Sequence, residues 1–267
     1  MKRFCWFVSR IFPVALLAVI ASTTAVIAAE KQDARVTAIV RDVRVLPSQA
    51  NSRAASLNET IRQGTGVRTG SDSRAELTFS DQSLTRLGAN TVFSFDQAAK
   101  SVNLSSGAVL LCAPAAAGTV RISCPAITAA VSGGIAMSEA HKSSWTKVIV
   151  IEGRSVVTLK RSGEAVTLHS GQMIALPPGA RHLTQVQNID LKKLTDKSLL
   201  IRFARLPKWV WELINVEIER QQSSPPPQGG LIDPTGFDAI SQRGTVLRPT
   251  PAPPPRETPP PKRPPGQ

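Results

Sequence analysis

The 267-residue chain contains no tyrosine, and it has few aromatic residues, histidines and cysteines. Sequence-reading nucleic-acid proteins combine a basic face with groups that stack on bases. The aromatic residues beyond the first thirty positions do not interleave with lysine or arginine; they are Phe79, Phe93, Phe95, Trp145, Phe203, Trp209, Trp211 and Phe237. The formal net charge of +13 fits attraction to an anionic polymer, but a nucleic-acid partner is not expected.

The usual motifs of catalysis and metal binding are also absent from the sequence. The three histidines, His141, His169 and His182, show no metal-ligand spacing. There is no phosphate-binding loop and no G-x-S-x-G elbow around a nucleophilic serine. We therefore predict that the protein is not an enzyme and that it has no catalytic residue, cofactor or metal site.

Cysteine is scarce as well, with one residue, Cys5, in the first thirty positions and two beyond them. Cys112 and Cys124 form an even pair, and such a pair in an oxidising compartment is a candidate disulfide. The alternative is that both are buried free thiols that behave as small apolar side chains.

Only one long apolar run is present, and it lies at the N-terminus. Lys2, Arg3 and Arg10 precede the uncharged stretch from Ile11 to Ala29, which ends in small residues. This pattern is typical of a secretory signal peptide over residues 1–29. The stretch is also just long enough to remain as an uncleaved membrane anchor. Either outcome places the rest of the chain in the periplasm or at the cell surface, and the anchor adds membrane association.

Residues 35–180 show short runs of β-branched and apolar residues separated by turn residues, which predicts an all-β domain. Glycines recur about every 20 residues, at Gly66, Gly88, Gly107, Gly133, Gly153 and Gly171. This recurrence favours a β-solenoid-like or rolled sheet of short strands with glycine at the tight turns. A sandwich of hairpins is the alternative.

Residues 181–222 predict a short helical C-terminal extension. Asp190 is placed to cap one short helix, and Pro207 to start a second over Lys208 to Gln222. Trp209 and Trp211 suit either a membrane-interface helix or a helix that caps the open end of the strands, and we favour the cap. Residues 223–267 are rich in proline and predict a disordered tail or an extended spacer.

Residues 64–91, GTGVRTGSDSRAELTFSDQSLTRLGANT, resemble the core signature of the FecR domain. The resemblance continues through LSSGAV (104–109), VRISCPAITAAVSGG (120–134), VIVIEGR (148–154) and LHSGQ (168–172). It runs in register from the 40s to about Pro177. Within the signature, Arg68, Arg74 and Arg86 could pair with Asp72, Glu76 and Asp81 across neighbouring strands, or they could form a partner-binding patch.

The resemblance implies a non-catalytic, scaffold-like module outside the cytoplasm that binds a protein partner or an envelope polymer. The alternative is a component of envelope signal transduction related to FecR-type sigma-factor regulation. About ten residues precede the apolar run, so we expect no cytoplasmic anti-sigma region of the kind that regulatory relatives carry. The sequence makes no prediction of the oligomeric state.

Overall fold

The computed structural model describes residues 33–96, 99–141 and 145–234. The predicted signal peptide or anchor and most of the predicted proline-rich tail lie outside the described residues. Among the residues that are described, no helix has the length and the apolar composition needed to cross a membrane.

Fifteen strands, one 3-10 turn and three α-helices make up the described part of the chain. The strands are β1 (Ala34–Val40), β2 (Val43–Leu46), β3 (Arg53–Ala54), β4 (Thr60–Ile61), β5 (Gly66–Thr69), β6 (Arg74–Thr78), β7 (Leu84–Leu87), β8 (Val92–Asp96), β9 (Ser101–Ala113), β10 (Thr119–Ser123), β11 (Ile127–Ala140), β12 (Thr146–Leu159), β13 (Ala165–His169), β14 (Gln172–Leu176) and β15 (Gln187–Asn188). The 3-10 turn is Ala115–Ala117, and the helices are α1 (Leu191–Lys197), α2 (Leu199–Arg202) and α3 (Lys208–Ser223).

All fifteen strands belong to one open mixed sheet. Its main path runs β15-β14-β12-β11-β10-β9-β7-β6-β1-β4, and β2, β3, β5, β8 and β13 pair beside that path. The β9–β10 pairing is parallel, whereas neighbours such as β11 and β12 are antiparallel. The predicted all-β class with a few short C-terminal helices is confirmed.

The three long strands β9, β11 and β12 change partners along their length, and glycines lie where the change occurs. Residues 101–106 of β9 pair with β8, whereas residues 107–113 pair with β11. Gly107 has φ +93°, and Gly134 and Gly153 at the corresponding changes in β11 and β12 have φ +116° and +89°. Gly107, Gly134 and Gly153 therefore bend strands, whereas the sequence predicted that Gly107, Gly133 and Gly153 form the turns between strands.

The bends divide the sheet into two halves. The covered half-sheet contains β1, β4, β6, β7, β14 and β15 with residues 107–113, 134–140 and 146–153 of the long strands. The open half-sheet contains β2, β3, β5, β8, β10 and β13 with residues 101–106, 127–132 and 154–159. One hydrophobic cluster lies between the halves, because it joins side chains of both, such as Leu104 and Val157 from the open half and Leu111 and Val148 from the covered half.

Burial along the long strands shows how the two halves differ. In the open half-sheet, side chains of β9 and β11 alternate between buried and exposed or half-buried, which is the pattern of a sheet with one face on the core. In the covered half-sheet, seven consecutive residues at the end of each of these strands are buried. The covered half-sheet therefore has a second layer on its other face.

That second layer is the helical extension. A second hydrophobic cluster joins Ile135 and Ile149 of the covered half-sheet to Leu194, Val210 and Ile214 of the helices. The Asp190 side chain caps α1, as predicted, by accepting the backbone N–H of Lys193 at 2.9 Å. The second helix was predicted to cap the open end of the strands, but α3 instead covers a face of the sheet, and its tryptophans pack partly buried against this cluster.

Candidate functional site

Arg86 on β7 is fully buried, and its first partner is a carboxylate on the next strand. Glu76 and Arg86 face each other in the β6–β7 pairing. The Arg86 Nε donates to Glu76 Oε2 at 2.8 Å, and Nη2 lies 2.8 Å from the same oxygen. The other carboxylate oxygen of Glu76 accepts the Thr37 hydroxyl at 2.8 Å. The predicted Arg86–Glu76 pairing across strands is therefore present.

The remaining donors of Arg86 hold the end of α2. Nη1 donates to the carbonyls of Leu200 and Ile201 at 3.0 and 2.7 Å, and Nη2 donates to Ala204 at 3.0 Å. The guanidinium carbon lies 4.8 Å from the centre of the Phe203 ring. The last carbonyls of a helix lack helical partners and carry partial negative charge, so a buried cation stabilises them. Arg86 is thus a structural anchor, and the prediction that it contacts a binding partner is corrected by its complete burial.

The other two predicted arginines lie apart from Arg86. Arg74 is half-buried at the first position of β6, where it pairs with Val40. Arg68 is exposed on β5 and faces Arg44 of β2 in the strand register. Their predicted acidic partners bind elsewhere: Asp72 pairs with Arg41 at 3.1 Å, and Asp81 accepts the backbone N–H of Ser83 at 2.9 Å.

Arg68 belongs to a broad face of the open half-sheet that we call the outer face. It is formed by exposed and half-buried side chains that point away from the core; these are Arg44, Arg68, Ser94, Asp96, Asn103, Arg121, Thr128, Ala130, Arg154, Val156, Thr158 and Thr167. Strand register places Arg121, Ala130, Val156 and Thr167 in one row across β10 to β13. Because most of its side chains are small, this face is flat, and its four arginines exceed its single aspartate.

A separate polar cleft of about 460 Å³ lies between the bend of β12, the β13–β14 turn and α3. It is lined by Glu152, Gly153, His169, Ser170, Leu191, Glu217, Arg220, Gln221 and Ser224. The walls are held by side-chain to backbone hydrogen bonds. Gln221 accepts the N–H of Leu191 at 3.0 Å and donates to the carbonyl of Ile189 at 2.8 Å, and the Ser170 hydroxyl accepts the N–H of Gly153 at 3.1 Å.

Two carboxylates dominate the electrostatics of this cleft. Glu217 of α3 is 6% exposed, and it pairs with the largely exposed Arg220 at 3.3 Å. Burial raises the pKa of Glu152 above its usual value, the charge of Glu217 raises it further, and Arg220 opposes both effects. Among the described residues, no group of three or more histidine, cysteine, aspartate or glutamate side chains could hold a metal ion. The arrangement is suited to binding a group that carries positive charge.

Sequence reasoning did not find this cleft. Glu152 follows a buried run on a strand and Glu217 lies on a helix far along the chain, so no spacing joins them. The only local signal was the sequence Glu152-Gly153, a charged residue beside a glycine at a strand bend.

The structure does not contain the candidate disulfide. Cys112 and Cys124 are free, and both are buried. Cys112 belongs to the cluster beneath the helices, whereas Cys124 belongs to the cluster between the two half-sheets. The sheet therefore directs the two side chains into different layers, and this accounts for the correction in favour of the free-thiol alternative.

We expect Cys112 and Cys124 to be unreactive in the folded protein, because burial raises the pKa of each thiol to about 12 and only the thiolate is nucleophilic. At pH 8, a thiol reagent should modify neither residue in the native chain and both in guanidinium chloride, as measured by intact mass and peptide mapping. The prediction is contradicted if Cys112 and Cys124 also resist modification in the denatured, non-reduced chain and peptide mapping finds them in one cross-linked peptide pair. That result would show a disulfide.

Comparison with known proteins identifies the part of the chain that carries the strand signature. Residues 65–155 match the family model described as FecR protein, and no curated protein matches the chain. Two crystal structures of a "putative anti-sigma factor" from Parabacteroides distasonis are similar at 15% and 16% identity, each with a TM-score of 0.43. Each similarity covers 49% of this chain and 62% of the other, which is less than two thirds of that chain's length.

The matched residues run from β5 almost to the end of β12. They include Arg86 and three arginines of the outer face, Arg68, Arg121 and Arg154, whereas α1, α2 and α3 lie beyond them. The match agrees with the signature found in the sequence. Residues 65–155 of this chain are therefore similar to the FecR family.

Proposed function

We propose that this protein is a non-catalytic module that works outside the cytoplasm in envelope signal transduction and binds an acidic surface of a protein partner through its outer face. The observation that carries the proposal is the outer face itself. Among the described residues it is a side of the open half-sheet made mostly of small side chains. Arg68, Arg121 and Arg154 are exposed on it, and Arg44 is half-buried beside Asp42, with which it pairs at 3.3 Å.

The charges of the outer face favour an acidic partner. Arg44 and Arg68 are neighbours across the β2–β5 pairing, while Arg121 and Arg154 lie on strands farther along the same face. Arginine is enriched in protein interfaces, and complementary charge accelerates the encounter of two proteins. A standard interface needs about 800 Å² per partner, which a face of several strands supplies more readily than a small pocket.

The N-terminal sequence supports the same proposal. Its pattern of positive charge, apolar run and small residues is typical of a secreted or anchored chain, and envelope partners are accessible to such a chain. An anionic envelope polymer is the second candidate, because the net charge of +13 attracts any polyanion. A polymer would bind without fixed stoichiometry and would lose affinity steeply with salt.

Site-specific photo-crosslinking in living cells tests the proposal. A photoreactive residue is placed at Ser94 or Thr167 on the outer face, and at Val216, which is 53% exposed on α3, as the control. We expect both outer-face positions, but not Val216, to capture the same protein in a complex of defined mass. The proposal is contradicted if a protein is captured only from Val216. It is also contradicted if the chain is retained on envelope polymer and no protein is captured, and that result would support the polymer as the ligand.

A further inference from the structure

We propose that the polar cleft is a second binding site, separate from the outer face, that takes an alkylammonium or guanidinium group through Glu152 and Glu217. The two surfaces should prefer ligands of opposite charge, because the outer face presents arginines and the cleft presents carboxylates. The cleft lies partly outside the residues that match the FecR family, since its α3 wall follows them in sequence.

The position of the two carboxylates is the first argument. Glu152 lies at the bend of β12, and its Oε2 is directed against the backbone of β11, 2.9 Å from where a side-chain carbon on Gly134 would stand. Glu217 reaches the same cleft from α3 while remaining 6% exposed. Two like charges in a partly desolvated cleft repel each other, so a bound cation that contacts both lowers the energy of the pair.

Arg220, the cation that already lines the cleft, supplies only part of the positive charge that the two carboxylates attract. The Arg220 guanidinium reaches one oxygen of Glu217 at 3.3 Å, but 67% of its side chain is exposed to solvent. Burial and the charge of Glu217 raise the pKa of Glu152 even though Arg220 lowers it. A ligand cation can therefore bind beside Glu152 without displacing a buried ion pair.

The shape and chemistry of the cleft favour an organic cation over a metal ion. Calcium takes six to eight oxygen ligands and magnesium an octahedral set, whereas the described residues supply two carboxylates here. An ammonium group donates three hydrogen bonds, and the lining of the cleft includes acceptor oxygens of Glu152, Glu217 and Ser170. A volume of about 460 Å³ is within the usual range of small-molecule sites and admits the aliphatic part of such a ligand.

The charged and titratable groups that face Glu152 define the expected pH dependence. They are Glu217 and Arg220 from α3 and His169 from the end of β13. Ligand binding requires the ionised carboxylate, so affinity should fall as acidification protonates Glu152, whose pKa is raised in the free protein. In return, a saturating cation should lower the pKa of Glu152.

Binding of defined probes to the purified chain tests this site. The probes are 1,5-diaminopentane and arginine amide, with hexanoate and calcium as controls, and NMR of ¹³C-labelled carboxyl groups gives both affinity and the Glu152 pKa. We expect Glu152→Gln to weaken probe binding about tenfold and Arg220→Gln to strengthen it, while Glu164→Gln, which alters a carboxylate outside the cleft, has no effect. Because Arg220→Gln acts in the opposite direction, simple loss of folding cannot imitate the result.

Two further comparisons complete the experiment. The affinity of a blocked lysine tripeptide is compared with that of its glutamine analogue and with that of 1,5-diaminopentane. If the lysine peptide binds more tightly than the diamine, the natural ligand is a polypeptide. If the two bind equally, it is a free amine. Unchanged affinity in Glu152→Gln, an unmoved Glu152 pKa at saturation, or preferential binding of calcium overturns the proposal. Arg44→Glu with Arg68→Glu should leave probe binding unchanged, so failure of the cleft and failure of the outer face are distinguishable.

Discussion

Replacing Arg86 with alanine is expected to destabilise the protein by about 3–5 kcal/mol, the range for breaking a buried ion pair by removing one partner. The change leaves the Glu76 carboxylate, which is nearly buried, without its cation. It also removes the donors that hold the carbonyls of Leu200, Ile201 and Ala204, so the helical layer loses these polar attachments to the covered half-sheet. Urea unfolding followed by circular dichroism measures the loss as a lower midpoint.

Two comparison variants make this prediction specific. Arg154→Ala alters an exposed arginine on the outer face, and its unfolding midpoint should stay within about 0.5 kcal/mol of the unmodified chain. Combining Arg86→Met with Glu76→Leu should recover part of the loss, because no unpaired charge then remains buried. Equal stability of Arg86→Ala and Arg154→Ala would show that Arg86 does not anchor the helices.

Replacing Gly107 with alanine is the second change with a large expected effect, about 2–5 kcal/mol. Gly107 has φ +93°, and a side-chain carbon there would lie 2.3 Å from the Thr91 hydroxyl oxygen and 2.4 Å from the Thr91 Cα. The left-handed backbone costs about 1–2 kcal/mol for an L-residue, and overpacking adds about 1–3 kcal/mol. Thermal or urea unfolding measures the sum.

Gly163→Ala is the matched control for the steric part of this effect. Gly163 also has positive φ, +74°, but a side-chain carbon there would meet nothing within 4 Å. Only the backbone cost of about 1–2 kcal/mol is then expected. If both variants lose the same stability, the close approach of Thr91 to Gly107 does not constrain the bend of β9.

The all-β class was predictable because it depends on local patterns. Alternating burial in residues 101–106 of β9 and uninterrupted burial in residues 107–113 correspond to the polar-apolar alternation of SVNLSS and the apolar run GAVLLCA. The same patterns could not show which layer covers the apolar run. That layer is the helical extension, which begins almost eighty residues later in the chain.

The site residues were harder to predict because their roles depend on distant contacts. Arg86 and Arg68 have similar sequence contexts, since both lie on short strands of the signature. Only Arg86 is structural, because it donates to backbone carbonyls such as that of Ala204, which is 118 residues away. Cys112 and Cys124 are close in sequence but lie in different hydrophobic clusters. Glu152 and Glu217 meet only because α3 packs beside the bend of β12.

The central claim is that the outer face recognises an acidic protein partner, and the affinity of that complex tests it most directly. The dissociation constant is measured for the purified chain and the partner captured by crosslinking, over a range of salt concentrations. Arg44→Glu with Arg68→Glu should weaken binding at least about tenfold and reduce its salt dependence, while Lys192→Glu on α1 should have little effect. An unchanged dissociation constant in the double variant, or a loss of affinity confined to Lys192→Glu, would contradict the account.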